Sequence, residues 1–286
     1  MHALVLGAGG QLGSDLLAVL PNATGFTREQ LSIVDADDVR VAVRAVRPEV
    51  VFNCAAYNAV DGAEQAPDEA MAVNAEGAAA VAAACAVESV RLVHFSTNFV
   101  FDGELARPYL ETDEPRPLGA YARSKLEGER RVLTALPEAL VVRSAGLYGL
   151  AGSAIKGGSF PERVLKQARS GAAVRIVDDQ RLNPTYTADL ARAAAQLAAG
   201  QQSGVVHLVA AGCCSFYELA REFLQLAGLA DRLQRITSSE LRAAAPRPRN
   251  GCLASVRVEP LRPWQSALRD YWAAYQAKSP DETQPM

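Results

Sequence analysis

Two hydropathy patterns alternate along the chain. Short, predominantly apolar runs with β-branched side chains are separated by longer alanine-rich stretches whose apolar positions recur every three or four residues. The short runs predict strands over 3–6, 50–53, 91–96, 139–143 and 174–177. The longer ones predict helices over 11–20, 36–46, 67–87, 122–135 and 160–170. A strand with no polar side must be covered on both faces, and strands spaced by helices pair in parallel. The expected fold class is therefore α/β, a Rossmann-type doubly wound parallel sheet. After about residue 185 the pattern loosens, with a Pro/Arg-rich stretch at 245–250 and a polar tail from Lys278.

Composition narrows the partners. The chain has 286 residues, 49% hydrophobic and 21% charged, with a formal net charge of −3, so it can bury a full core and builds no basic stripe. No nucleic acid and no anionic membrane is expected as a partner. The five cysteines, Cys54, Cys85, Cys213, Cys214 and Cys252, have no CxxC spacing and read as reduced and buried. His2, His94 and His207 are scattered, two of them in strand-like runs, so no metal site is expected. Met1 leads straight into a strand without a basic region, and the apolar stretch 70–87 carries Asn74 and Glu76, which suits a buried helix better than a membrane span. A soluble, cytoplasmic protein is expected.

Chemistry starts at the first strand–helix junction, Gly7-Ala8-Gly9-Gly10-Gln11-Leu12-Gly13. Glycines there permit a tight turn and close approach of a pyrophosphate, whose charge is met by free N–H groups at the helix start. A ligand-free tight turn is the alternative, and the position after the first strand favours the dinucleotide. An acid normally closes the second strand of such folds to bind the adenosine ribose, but Gly25-Phe26-Thr27-Arg28 has none before Glu29. Arg28 is the candidate partner of a ribose 2′-phosphate, against its reading as a surface arginine, which tilts the cofactor toward NADPH with NADH as the alternative.

Tyr121-Ala122-Arg123-Ser124-Lys125 puts a phenol and an ammonium on one helix face. A phenol is a poor acid until a neighbouring cation stabilises its phenolate, and Lys125 supplies that cation and could hold a nicotinamide ribose. Upstream, Ser96-Thr97-Asn98 follows a strand and offers a hydroxyl to polarise a carbonyl oxygen. Tyr121 would then give a proton to that oxygen while the cofactor gives hydride to its carbon.

With these features stand the blocks NCAAYNAVDGAE, AVNAEG, STNFVFDG, YARSKLEGE, VVDDQRLNPTYTADLA and RPRNG. In this order, almost end to end, the chain resembles the dTDP-4-dehydrorhamnose reductase family of extended short-chain dehydrogenases/reductases. The resemblance implies NAD(P)H-dependent reduction of the 4-keto group of a nucleotide-linked deoxysugar. It implies cofactor contacts at Gly7, Gly10, Gln11, Leu12, Gly13, Ala55, Ala56, Tyr57 and Ser96, and a catalytic set of Thr97, Tyr121 and Lys125, the last two also touching cofactor. Val60, Thr97, Asn98, Gly146, Arg181 and Asn183 would face the substrate, Pro184 and Thr185 would lie beside them, and Asn74 would support the site. Residues 1–145 would form the dinucleotide-binding domain, and 146–286 would complete the sheet and form a small C-terminal substrate-binding portion. A homodimer is admitted.

The sequence departs from the family twice. STDYVFDG is the usual block where this chain has Asn98 and Phe99, and a tryptophan usually stands where it has Gly146. Loss of the indole is expected to open the sugar pocket. The asparagine block and RPRNG are also similar to the regulatory β subunit of methionine adenosyltransferase, a non-catalytic dinucleotide-binding relative, which is the rival reading.

Overall fold

The computed structural model describes residues 1–151, 157–200, 202–241 and 243–278. Its centre is a six-stranded, wholly parallel sheet of β1 (Ala3–Leu6), β2 (Ala23–Phe26), β3 (Val50–Asn53), β4 (Arg91–Thr97), β5 (Leu140–Ser144) and a returning strand, Gly204–His207. The spatial order is Gly204–His207, β5, β4, β3, β1, β2. Helices α1 (Gln11–Val19), α2 (Ala36–Val46), α3 (Val60–Gln65), α4 (Pro67–Met71), α5 (Ala78–Val87) and α6 (Ala120–Ala135) link the first five strands, and α7 (Phe160–Arg169) and α8 (Thr187–Ala199) follow.

Period-two alternation divides the strand residues between two cores. Val5, Phe52, Val93, Phe95 and Val142 pack with Leu12 and Leu16 of α1 and Leu190 and Ala194 of α8. Leu4, Leu6, Val51, Leu92 and Val141 pack with Val39 and Val43 of α2, Val81 and Cys85 of α5 and Val132 of α6. A third core, built on Tyr148, Tyr186, Phe223, Trp264 and Tyr271, holds the C-terminal portion together. Tyr271 meets Tyr148 and Tyr186 edge to face with centroids 5.1 and 5.7 Å apart.

The expected strand at 174–177 exists but lies outside the main sheet, paired with Leu233–Ile236. Its central residues Arg175 and Ile176 are not buried, so it cannot sit between two helical layers. The place beside β5 is taken by Gly204–His207, which, like the opposite edge strand β2, contains a glycine and is half-buried over part of its length, so its apolar signal does not rank above neighbouring loops. The expected helix 67–87 is helical throughout but contains a π turn at Ala72–Gly77. It is long and apolar enough to cross a membrane, and half of its most apolar window is buried inside the protein. The cysteine reading needs correction: Cys213 and Cys252 are joined as a disulfide, with Cα atoms 6.0 Å apart. Backbone bonds from Arg181 to Arg249 and from Gly251 to Arg181, with the Arg181 guanidinium on the Cys213 carbonyl, bring the two together. Cys54, Cys85 and Cys214 are free, and Cys54 is only half-buried. The polar end of the tail, 279–286, lies outside the described residues.

Candidate active site

Helices leave β1 and β3 toward opposite faces, so their C-terminal ends open a crevice at the point where strand order reverses, the usual ligand position in open α/β sheets. Gly7 ends β1 at φ +77°, and a Cβ there would lie 2.7 Å from the Ala55 nitrogen beyond β3, so only glycine lets the two strand ends approach. Gly13 leaves no room for a Cβ against the Gly7 carbonyl, which fixes α1 tightly beneath the turn. Gly10 donates to the Gly7 carbonyl at 3.0 Å and precedes α1 without a side-chain cap, leaving the first-turn N–H groups for a ligand. The Gln11 Oε1 atom is buried there without a partner. Leu12 sends its side chain into the core, so only its backbone can serve the crevice. This cradle, with its free N–H groups at the start of α1, fits a dinucleotide diphosphate. Arg28 stands exposed just beyond β2.

The Ala55-Ala56-Tyr57 segment is held from both ends. Ala55 N–H donates to Asn53 Oδ1 at 3.2 Å, and Tyr57 N–H donates to Asn74 Oδ1 at 2.8 Å. Asn74 Nδ2 donates in return to the Tyr57 carbonyl at 3.2 Å and to Ser124 Oγ at 2.9 Å. The π turn delivers Asn74 to this junction, which joins the loop after β3 to α6, a usual place for such a bulge. Asn74 therefore holds backbone, as a supporting residue must.

Tyr121, in the first turn of α6, packs among Ala63, Ala70 and Ala120, with Val60, Tyr57 and Phe99 at the margin. Phe99 meets its ring edge to face, 5.7 Å between centroids. Burial pushes the Tyr121 phenol up to about 12, and a hydrogen bond with Thr97 draws it back. Thr97 ends β4, with its hydroxyl donating to Asn98 Oδ1 at 3.3 Å and accepting from Phe99 N–H at 3.2 Å.

Lys125 departs from the expected geometry. Helical spacing puts it on the Tyr121 face, but its amine turns into the sheet, donating to the Phe95 carbonyl at 2.7 Å and lying 3.4 Å from His94 Nε2. Burial draws the ammonium down to about 8, against the attraction of Glu129. Thr97 rather than Lys125 is the side chain that acts on the phenol here. Ser96 is likewise spent elsewhere: its hydroxyl donates to Glu129 Oε1 at 2.5 Å, so only its backbone is left for a cofactor. Glu129 pairs with Arg143 at 2.6 Å, both side chains buried.

Three expected substrate contacts are corrected. Asn98 Nδ2 donates to the Gly251 carbonyl at 2.8 Å while its Oδ1 accepts from Thr97, so the buried amide ties the RPRNG loop to β4 rather than standing free toward a sugar. Gly146 does not open the pocket. It stands at φ +57°, and a Cβ would lie 2.5 Å from Leu182 Cδ1 and 2.9 Å from the Asn183 carbonyl. Asn183 is buried and clips three segments together, donating to the Ala210 and Gly212 carbonyls and accepting from Leu253 N–H. Thr185 continues that clip through the Asn183 carbonyl and Ala210 N–H. Arg181 fronts open space, with Arg249, Asn250, Leu105, Asp178 and the Cys213–Cys252 pair around a cleft of about 430 Å³, and Val60 stays half-exposed beside Tyr121. Sequence reasoning overlooked Asn53, Glu129 and Arg143. The run Tyr121, Lys125, Glu129 at successive intervals of four could have disclosed Glu129. Among the described residues no group of three or more His, Cys, Asp or Glu is placed to hold a metal.

Fold and crevice together define a dinucleotide-binding α/β protein of the extended short-chain dehydrogenase/reductase type. The chain belongs to the family described as RmlD substrate binding domain, which it matches over residues 1–277. It is 42% identical to dTDP-4-dehydrorhamnose reductase of Mycobacterium tuberculosis, covering 95% of this chain and 92% of that protein. It is 38% identical to dTDP-4-keto-6-deoxy-D-glucose reductase of Streptomyces niveus, covering 93% and 94%. Among solved structures, dTDP-4-dehydrorhamnose reductase of Bacillus anthracis in complex with NADP superposes with a TM-score of 0.91 at 30% identity, over 95% of this chain and 98% of that one.

Proposed function

We propose that this protein reduces the 4-keto group of a nucleotide-linked deoxysugar, dTDP-4-dehydrorhamnose to dTDP-rhamnose, with NADPH as hydride donor. The observation that carries the reading is a buried phenol, Tyr121, in the first turn of α6 at the rim of a glycine-lined dinucleotide crevice, with Thr97 the side chain that acts on it. Gly7, Gly10, Gln11, Leu12 and Gly13 would hold the cofactor diphosphate, Arg28 its 2′-phosphate, and Ala55, Ala56 and Tyr57 its inner flank. The cofactor supplies hydride to the keto carbon. Tyr121 gives its proton to the keto oxygen, which Thr97 orients, and Lys125, one turn along the same helix, would steady the phenolate left behind while it carries its charge. Residues 1–145 would bind the dinucleotide, while 146–286 close the sheet and receive the nucleotide-sugar, whose diphosphate we place against Arg181. A cytoplasmic location and a homodimer accord with this reading. The asparagine that suggested a regulatory subunit has a task of its own, the bond to Gly251, so it does not weigh against catalysis.

The test is NADPH oxidation against a panel of nucleotide 4-ketosugars. Tyr121→Phe should retain cofactor binding and lose roughly 10²-fold or more in turnover. Near-normal turnover in that variant, or no oxidation by the parent with any ketosugar, overturns the reading.

A further inference from the structure

Behind Lys125, on the side away from Tyr121, lies a chain of buried polar groups whose hydrogen-bond directions are fixed from one end. Asn53 and His94 are register partners on adjacent strands β3 and β4, and both are fully buried. Ala55 N–H donates to Asn53 Oδ1, which decides which way the amide faces: Nδ2, a donor only, lies 3.2 Å from His94 Nδ1. His94 Nδ1 must therefore be the bare, accepting nitrogen. A neutral imidazole carries one proton, so it sits on Nε2, and Nε2 is the atom 3.4 Å from Lys125 Nζ.

We infer that His94, with its tautomer set by Asn53, is a positioning residue that turns an N–H rather than a lone pair toward the Lys125 amine, and so favours the un-ionised form of that lysine. This rests on the reading of Lys125 given above. An ammonium there finds one good acceptor, the Phe95 carbonyl, and an opposing donor; an amine can give to Phe95 and accept from His94. Desolvation works in the same direction as this contact, and the neighbouring groups oppose it only in part. Glu129, one turn along α6, attracts the ammonium but is shared with Arg143. The Cys54 thiol, just beyond β3, is raised and so kept protonated by desolvation of its sulfur, although the residue as a whole is half-buried. Tyr121, one turn back, is protonated. His94 itself stays neutral, because burial and the Lys125 charge hold it well below the usual imidazole range. Burial is the first cause that draws the Lys125 ammonium down, and the His94 N–H facing the amine acts in the same direction.

The experiment uses the full-length protein labelled with ¹⁵N-histidine and ¹³C-lysine; with three histidines and four lysines in the chain, the signals can be assigned by single substitutions. His94 is expected to show a protonated Nε2 and a bare Nδ1 from about pH 6 to about pH 9. Asn53→Asp gives Nδ1 an acceptor, which should reverse the tautomer and raise the Lys125 ¹³Cε titration midpoint by about one pH unit, a tenfold gain in proton affinity. His94→Leu should raise it also. The alkaline limb of kcat/KM for ketosugar reduction should move with the midpoint. A parent His94 protonated on Nδ1, or a reversed tautomer that leaves the Lys125 midpoint in place, overturns the inference. If His94→Leu does not fold, Asn53→Asp and the parent spectra still decide. The NMR outcomes need no turnover, so they stand apart from a failure of the reductase reading.

Discussion

At Gly146 the backbone decides what the position can carry. Its φ of +57° and its seat against Leu182, Asn183 and Pro184 leave no place for a side chain, so the family tryptophan could not be restored on this backbone. Gly146→Ala should cost about 1–3 kcal/mol, the strain of a non-glycine residue held in the left-handed region. A lower melting temperature with an unchanged ranking of ketosugars is the expected result; an unchanged melting temperature speaks against it. Arg28 is the opposite case, an exposed side chain whose only work would be for a ligand. Arg28→Ala should weaken NADPH binding by about 1–3 kcal/mol, as for a charged hydrogen bond, and leave NADH nearly untouched. Titration of both cofactors measures this, and equal losses would deny Arg28 the phosphate.

The single element that organises the chemistry is α6. Tyr121, Lys125 and Glu129 follow one another at intervals of four, so one helix face carries the phenol at the rim, the amine behind it and the carboxylate deepest. Each is buried, and each meets a different strand-end group: Thr97, His94 with the Phe95 carbonyl, and Ser96 with Arg143. Burying the Glu129–Arg143 pair is tolerable only while both charges are present. Glu129→Gln leaves the Arg143 guanidinium buried with only neutral partners, the new amide oxygen, His207 Nε2 at 3.4 Å and the Phe101 ring 5.2 Å away, and should cost about 3–5 kcal/mol in denaturant unfolding. Replacing the pair together should recover much of that loss. A single variant as stable as the parent would show that water reaches the arginine.

At the scale of the molecule, the two portions are interlocked. The strand Gly204–His207 completes the sheet beside β5, and α8 covers the same sheet face as α1, so residues beyond 146 supply both an edge and a layer to the first 145. Asn98 to Gly251 and Tyr109 to Leu253 add further ties. The chain should therefore unfold in one calorimetric transition, and residues 1–145 alone should not give a folded product, because their sheet face toward α8 would be bare. Two separated transitions, or a folded 1–145 fragment, would refute this. Four of the six main strands, β1, β3, β4 and β5, and the helices α1, α2, α4, α5, α6 and α7 were legible from periodicity, because strands covered on both faces and amphipathic helices write their packing into the local pattern. The two edge strands were not: Ala23–Phe26 and Gly204–His207 each contain a glycine and too few apolar residues to stand out until β1 and β5 offer them an edge.

The sequence by itself determined the parallel α/β sheet, the glycine turn, the pairing of Tyr121 with Lys125 on one helix and the order of the family blocks, all of which depend on residue type and spacing along one strand or helix. Tertiary structure alone decided which polar side chains face the crevice and which are consumed inside. It turned Ser96 toward Glu129, Asn98 toward Gly251 and Asn183 into a clip, it joined Cys213 to Cys252, and it set His94 beside Lys125. The reason is that a buried polar atom must find its partner wherever the chain brings one close, and those partners lie 31 to 153 residues away for His94 and Asn98. Spacing along the chain carries no record of such distances.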